Sequence, residues 1–266
     1  MDLNLNGKRA LVTGSSAGLG EAIAKLLAAE GATVVVHGRD TDRTHTVAAA
    51  INAAGGTAEV ALGDLATDEG ANAVAAQARN GGEIDILVNN AGYYHHLNWT
   101  TALPETWVET YQVNVVSAVR MIQRLVPTMR ERGWGRVIQI GGGLAGQPVP
   151  MHPDYNASLA ARHNLAVSLA RDLKDTGVTS NVVAPGAILV PAVRQLLEAI
   201  APKFGWGESW EDIEQGCVRD LVPNDVGRLG RPDEIAGAVA YLSSPFADYI
   251  SGATIRVDGG TIRSAF

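Results

Sequence analysis

The chain has 266 residues, 46% of them hydrophobic and 18% charged, which suits one large core and argues against disorder. A net charge of −7 argues against nucleic acid as a partner, because phosphate binding needs a basic surface. The single cysteine, Cys217, excludes an intramolecular disulfide and any cysteine-based metal cluster. No segment approaches the roughly 20 apolar residues of a membrane span. The N-terminus M-D-L-N-L-N-G-K-R has no apolar run after its charges, so no signal peptide is expected. A soluble cytoplasmic protein with no membrane partner is the expectation.

Short β-branched runs alternate with alanine-rich helical stretches, the pattern of βαβ units around a parallel sheet buried on both faces. The first strand covers 9–13 and the first helix 18–30, apolar at Leu19, Ile23, Leu26 and Leu27. A strand at 33–36 and a helix at 42–54 follow, then strands at 57–62 and 84–89 with a helix at 68–79 between them. A long helical region spans 104–132. Pro104 suits its first turn, and Pro127 predicts a kink or a break. Next come a strand at 136–140, a helix at 154–175 and a strand at 178–184. The segment 190–224 is the least regular, with short helices at 193–201 and 210–221. A last helix opens at Pro232 and a final strand covers 254–257. With no repeat or linker, residues 1–266 read as one domain carrying a lid-like insertion at 190–224.

The turn T-G-S-S-A-G-L-G at 13–20 joins the first strand to the first helix, where a dinucleotide pyrophosphate would lie. Gly14, Gly18 and Gly20 let the turn close and let backbone amides approach phosphate. Further along stand N-N-A-G at 89–92, Asn114, Tyr155, Pro185-Gly186 and R-V-D-G-G at 256–260. Together these motifs cover nearly the whole chain, which resembles the compact branch of the short-chain dehydrogenase/reductase family. The resemblance implies an α/β fold, a single Rossmann-type doubly wound domain with a parallel seven-stranded sheet, and hydride chemistry with a nicotinamide cofactor.

The same resemblance assigns the cofactor-binding positions. They are Gly14, Ser16, Gly18, Leu19 and Gly20 in the turn; Asp64 and Leu65 at the adenine; Asn90, Ala91 and Gly92 at the ribose; and Pro185, Gly186 and Ile188 beyond. After the second strand, an NAD-preferring member carries an acidic residue for the ribose 2′-hydroxyl. Here that position is Gly38, followed by Arg39, whose fork can hold a 2′-phosphate, so NADP(H) is favoured over NAD(H). His37 reads as a surface or pocket-wall residue.

In the family, a tyrosine passes a proton to or from the substrate oxygen. A serine 13 residues before it binds that oxygen, a lysine four after it lowers the tyrosine pKa, and an asparagine holds a relay water. This chain offers Tyr155 and Asn114 as catalytic candidates, but Gly142 and Leu159 stand at the serine and lysine positions. Val190 stands where a hydroxyl usually meets the nicotinamide carboxamide. The departures cluster at the nicotinamide end. Gly142, Tyr93, His95, His96 and Val190 are substrate-pocket candidates. Arg162 and His163 fall seven and eight residues after Tyr155, about 10–12 Å along a helix axis, beyond direct contact. No spacing of histidine, carboxylate and cysteine suggests a metal. Leu189, Val193, Leu196, Leu197, Phe204, Trp206 and Trp210 give the insertion an apolar character that suits either a lid over a small apolar organic substrate or subunit packing. The resemblance also implies a homodimer or homotetramer. Two readings of function follow: an NADP(H)-dependent oxidoreductase acting on a carbonyl or alcohol with altered catalysis, or a non-redox catalyst or nucleotide-binding pseudoenzyme on the same scaffold.

Overall fold

The computed structural model describes residues 2–264. Among these, seven strands form one sheet: β1 (Arg9–Val12), β2 (Thr33–Gly38), β3 (Thr57–Leu62), β4 (Ile86–Asn89), β5 (Gly135–Ile140), β6 (Val178–Pro185) and β7 (Thr254–Val257). Their order is β3-β2-β1-β4-β5-β6-β7, and every neighbouring pair runs parallel. This is the expected doubly wound architecture. Successive strand residues face opposite sides, and both sides are covered, so the strands read as continuous apolar runs.

The helices are α1 (Gly18–Ala29), α2 (Thr41–Ala53), α3 (Asp68–Arg79), α4 (Pro104–Tyr111), α5 (Ser117–Glu131), α6 (Pro153–Asp172), α7 (Pro191–Phe204), α8 (Trp210–Asp220) and α9 (Pro232–Ser243). Val34 and Val36 join Ile23 and Leu27 of α1, Ile51 of α2 and Val239 of α9 in one core layer. Val35 and Leu11 join Val74 of α3 and Met121 and Leu125 of α5 in the other. Burying each such side chain stabilises the fold by about 1.5–3 kcal/mol.

The helical region expected over 104–132 differs in one respect. Its irregularity is a π turn over Gln112–Val116, between α4 and α5, rather than a break at Pro127. Proline removes one intrahelical hydrogen bond. Here α5 continues through it because Met121, Leu125, Val126 and Met129 pin the helix to the core on both sides.

Two features of the fold position the site. The winding reverses between β1 and β4, so their carboxyl ends frame the crevice where doubly wound sheets bind ligands. α7 and α8 pack into a core of their own, with Leu197, Ala201, Trp206, Ile213 and Cys217 buried and Leu189, Val193 and Trp210 against them. That core accounts for most of the insertion's apolar character without reference to a substrate.

Candidate active site

The glycine turn leaves β1 with Gly14 at φ +65° and Gly18 at φ +60°, conformations that favour glycine. A Cβ on Gly14 would stand 2.9 Å from Ala91 Cα, and one on Gly20 would collide with the Gly14 carbonyl. The turn therefore packs backbone to backbone against the segment after β4. Side chains fasten the two. Thr13 Oγ1 accepts from the backbone N–H groups of Asn90 and Ala91, both at 3.0 Å. Asn90 Nδ2 donates to the carbonyls of Thr13 (2.9 Å) and Gly14 (3.1 Å).

His37 supports the same turn from below. It is buried, not at the surface. Its Nδ1 accepts from the Gly14 N–H at 2.9 Å, its Nε2 meets the Gly63 carbonyl at 3.1 Å, and its backbone N–H donates to Ser15 Oγ. Burial lowers its pKa to about 4, so the ring is neutral at physiological pH.

The first turn of α1 is suited to an anion. Like Leu103, His152 and Val190 at α4, α6 and α7, Ala17 leaves the first amides of α1 without a side-chain cap. Those amides and the helix dipole meet at the glycine turn. Next to it, a Cβ on Gly38 would collide with Thr44 Oγ1 and come within 2.9 Å of Ser16 Oγ. An acidic side chain at position 38 would need the side chains of Thr44 and Ser16 to move aside. Arg39 follows, exposed, with its guanidinium 3.9 Å from the exposed carboxylate of Asp64. The residues present thus fit a dinucleotide, with a crowded glycine rather than an acidic residue at position 38.

The other assigned positions spread around this cleft. Leu19 packs on the core beside α1, and the side chain of Leu65 is buried among residues of α3. Gly186 passes so close to Asp258 that a Cβ would stand 2.9 Å from its Cα, which fixes the path after Pro185. Ile188 pairs with Gly230. The Val190 methyl lies 3.8 Å from where a Gly18 Cβ would be, which places it over the phosphate turn.

Tyr155 sits in the first turn of α6, half-buried. The Tyr94 ring stands 5.3 Å from it and 5.4 Å from His152, while His96 and His152 lie 5.2 Å apart. His96 therefore belongs to the ring cluster over Tyr155. His95 instead turns its ring to Tyr93, 4.8 Å away, and offers its carbonyl to His152 Nδ1. Burial, with help from the carboxylate of Glu109, pushes the Tyr93 phenol up to about 12.

Asn114 lies in the π turn, a feature that recurs at functional sites. Its Oδ1 accepts from the Tyr93 N–H, and its Nδ2 donates to the Tyr93 carbonyl and to Ser158 Oγ at 3.1 Å. Ser158 Oγ in turn donates to the Tyr155 carbonyl at 2.8 Å. This bridge from Asn114 to Tyr155 through Ser158 has no signature in the sequence, where Ser158 reads as an ordinary helical residue.

Gly142 is extended, with φ 178°, so any residue could adopt its backbone. A Cβ there would nevertheless stand 3.0 Å from Leu159 Cδ1. Leu159 is buried, so the residues at the serine and lysine positions pack against each other. The Gly142 N–H points at His163 Nε2, 3.4 Å away.

Axial spacing places Arg162 and His163 beyond contact with Tyr155, and neither forms a hydrogen bond to it. Both nonetheless reach the site, because helical side chains lean toward the N-terminus and span the intervening rise. Arg162 Nε donates to the Asn114 carbonyl, and its other nitrogens bind the carbonyls of Asn89, Ala91 and Ile140. Burial raises the Tyr155 pKa above the ordinary phenol value, and the charge of Arg162 opposes that rise.

Known proteins resemble this chain along its length. A family model described as short chain dehydrogenase matches residues 8–201. The uncharacterized oxidoreductase YvaG of Bacillus subtilis is 37% identical over 269 residues, covering 100% of both chains. The 3-oxoacyl-[acyl-carrier-protein] reductase FabG of Escherichia coli is 34% identical over 97% of this chain and 98% of its own. Among solved structures, the L-sorbose reductase of Gluconobacter frateurii, complexed with NADPH and L-sorbose, superposes with a TM-score of 0.93. It is 34% identical and covers 99% of this chain and 100% of its own. A 3-oxoacyl reductase of Agrobacterium tumefaciens with NADP bound superposes at 0.88 with 37% identity, covering 97% of this chain and 96% of its own.

Proposed function

The chain belongs to the short-chain dehydrogenase/reductase family of NAD(P)-dependent oxidoreductases, and on that premise we propose that it is an NADP(H)-dependent reductase of a polar carbonyl compound with Tyr155 as proton donor. The observation that carries the cofactor choice is the crowded Gly38, with no acidic side chain, beside the exposed Arg39. Arg39 and Ser16 would hold the 2′-phosphate, the uncapped amides of α1 the pyrophosphate, Asn90–Gly92 the ribose, and 185–188 the nicotinamide end. The relatives solved with NADPH and NADP support the same choice.

Bound there, the reduced cofactor supplies a hydride to the carbonyl carbon. Tyr155 supplies the proton to the carbonyl oxygen, and its raised pKa keeps that proton in place at neutral pH. Asn114 and Ser158 hold the start of α6, and with it Tyr155, in register with the cleft. The mouth above Tyr155 carries His96 and His152, hydrogen-bonding groups that suit a polar substrate better than an apolar one. The segment 190–224, a self-packed unit joined to the site at Val190, is suited to act as a lid. A homo-oligomer would cover Trp99, Leu103 and Val108, which are exposed in the single chain.

The packing of Leu159 against Gly142 favours one alternative, a nucleotide-binding protein that has given up hydride transfer. Fluorescence titration with NADPH and NADH, followed by NADPH oxidation over a panel of small hydroxylated ketones, separates the two. A charge-assisted contact from Arg39 to the 2′-phosphate contributes about 1.5–3 kcal/mol, so NADPH should bind at least ~10-fold tighter than NADH. Saturable binding of neither dinucleotide refutes the reductase. Tight NADPH binding without turnover of any ketone favours the alternative.

A further inference from the structure

Arg162 is a buried cation with no carboxylate. Its side chain lies on the inner face of α6, 3% exposed, and the groups that surround its guanidinium are backbone carbonyls. They come from the ends of β4 and β5 (Asn89, Ile140), the turn after β4 (Ala91) and the π turn (Asn114). Among the described residues, no acidic side chain comes within ion-pair distance of it. Removing a charge from water without a counter-charge is costly. Such a group favours any nearby residue that can become an anion, and Tyr155 stands two turns before it on the same face of α6, joined to it through Asn114 and Ser158.

We propose that Arg162 replaces the absent lysine as the cation that stabilises ionised Tyr155, acting from one helical turn further along α6 and from behind Asn114. The inference rests on the reading of Tyr155 as the proton donor. It explains why the lysine position can hold leucine. Leu159 packs beside Gly142, while the positive charge enters between the strand ends instead. A link through Asn114 and Ser158 ties the guanidinium to the same turn of α6 that carries Tyr155. Burial brings Arg162 down to about 10, which leaves it cationic at neutral pH.

The other groups around Tyr155 cannot take this role. Tyr94, on the loop after β4, works in the opposite direction and raises the phenol. The rings of His96 and His152 pack edge-on against Tyr94. Among the carboxylates, Glu109 and Asp154 act on Tyr93. His163, beneath the glycine loop, is held low by burial and is neutral at the pH where a phenol ionises.

Arg162 is thus a positioning residue, and its effect is read on Tyr155 directly. Incorporating 3-fluorotyrosine brings phenol titrations to lower pH, and 19F NMR follows each ring, with Tyr155→Phe assigning the signal. Arg162→Gln should raise the Tyr155 midpoint by about one pH unit or more, the range of a lost neighbouring charge. Arg162→Lys should stay within about half a unit of wild type. An unchanged midpoint in Arg162→Gln, or equal shifts in the two variants, overturns the proposal. A second measurement needs only the wild-type fold. In the 3-fluorotyrosine protein, whose phenols ionise at lower pH, the Arg162 13Cζ resonance should show a step that tracks the Tyr155 19F titration, separate from the ionisation of Arg162 itself, and that step should vanish in Tyr155→Phe; no such step, or one that persists in Tyr155→Phe, also overturns it. Both experiments use the protein without substrate or cofactor, so a failure to bind NADPH would count against the reductase and not against this pairing.

Discussion

His37 gives the fold a defined weakness toward acid. Its ring is a neutral acceptor for the Gly14 N–H, and its pKa of about 4 lies some 2.5 units below the value of 6.5 for a free histidine. The unfolded chain therefore binds this proton first as pH falls. By linkage, stability attributable to His37 is complete above about pH 6.5 and is lost progressively down to about pH 4. At roughly 1.4 kcal/mol per pKa unit, the full loss is roughly 3 kcal/mol, a large share of a typical folding free energy. Protonation of the folded state would also set two donors, Nδ1–H and the Gly14 N–H, against each other across 2.9 Å, loosening the turn that receives the pyrophosphate. The comparison is between wild type and His37→Gln, whose side chain has similar reach and does not titrate, by urea denaturation at pH 7.5, 6.0, 5.0 and 4.5. Glutamine should lower stability at pH 7.5 and flatten the decline below it by up to ~1.4 kcal/mol per pH unit. Parallel declines in the two proteins would show that the buried imidazole is not the group that takes up the proton.

Two further outcomes test the packing around the site. Gly38→Asp, the exchange that would create an NAD-type acidic position, should lower stability by about 1–3 kcal/mol, because Thr44 and Ser16 occupy the space its Cβ needs. It should also weaken NADPH without producing tight NADH binding, and a variant with unchanged melting that prefers NADH contradicts this. Gly142→Ser should cost about 1 kcal/mol against Leu159 in wild type and close to nothing in a Leu159→Ala background. An equal cost in both backgrounds, measured in a double-mutant cycle, would show that the 3.0 Å approach imposes no restraint.

Most of the scaffold is legible in the sequence because its signals are local. Val34-Val-Val36 can only be a strand buried on both faces, and Gly14 and Gly18 stand where the backbone takes positive φ. The π turn escapes such reading, since one widened turn leaves the apolar spacing of 104–132 almost unchanged. The apolar residues of 190–224 carry more than one meaning: Trp206, Ile213 and Leu197 satisfy one another in a small core, while Leu196 and Phe204 stay exposed. His37 shows the limit of a residue-type argument. Its neighbours in β2 are all buried, and a polar side chain in that run reads equally well as an edge or as a satisfied core group until its three partners are placed.

Arg162 did leave a sequence trace. It stands three residues after Leu159 and four before Ala166, on the stripe of α6 that faces the sheet, and a charge on a buried stripe requires a partner. Distance along the axis hides that partner because it ignores how far an arginine reaches back toward the helix N-terminus. Once the guanidinium is placed, the departures at 142 and 159 become one coupled change. Returning lysine to position 159 would remove a buried leucine and set a second cation on the same helix face as Arg162. Like charges three residues apart on a helix destabilise it. The substitution that looks like a repair is therefore disfavoured while Arg162 remains. The serine position is constrained in turn by the leucine that fills the space beside it. Gly142, Leu159 and Arg162 form a self-consistent set, which is what a relocated cation requires and what independent decay of single residues would not produce.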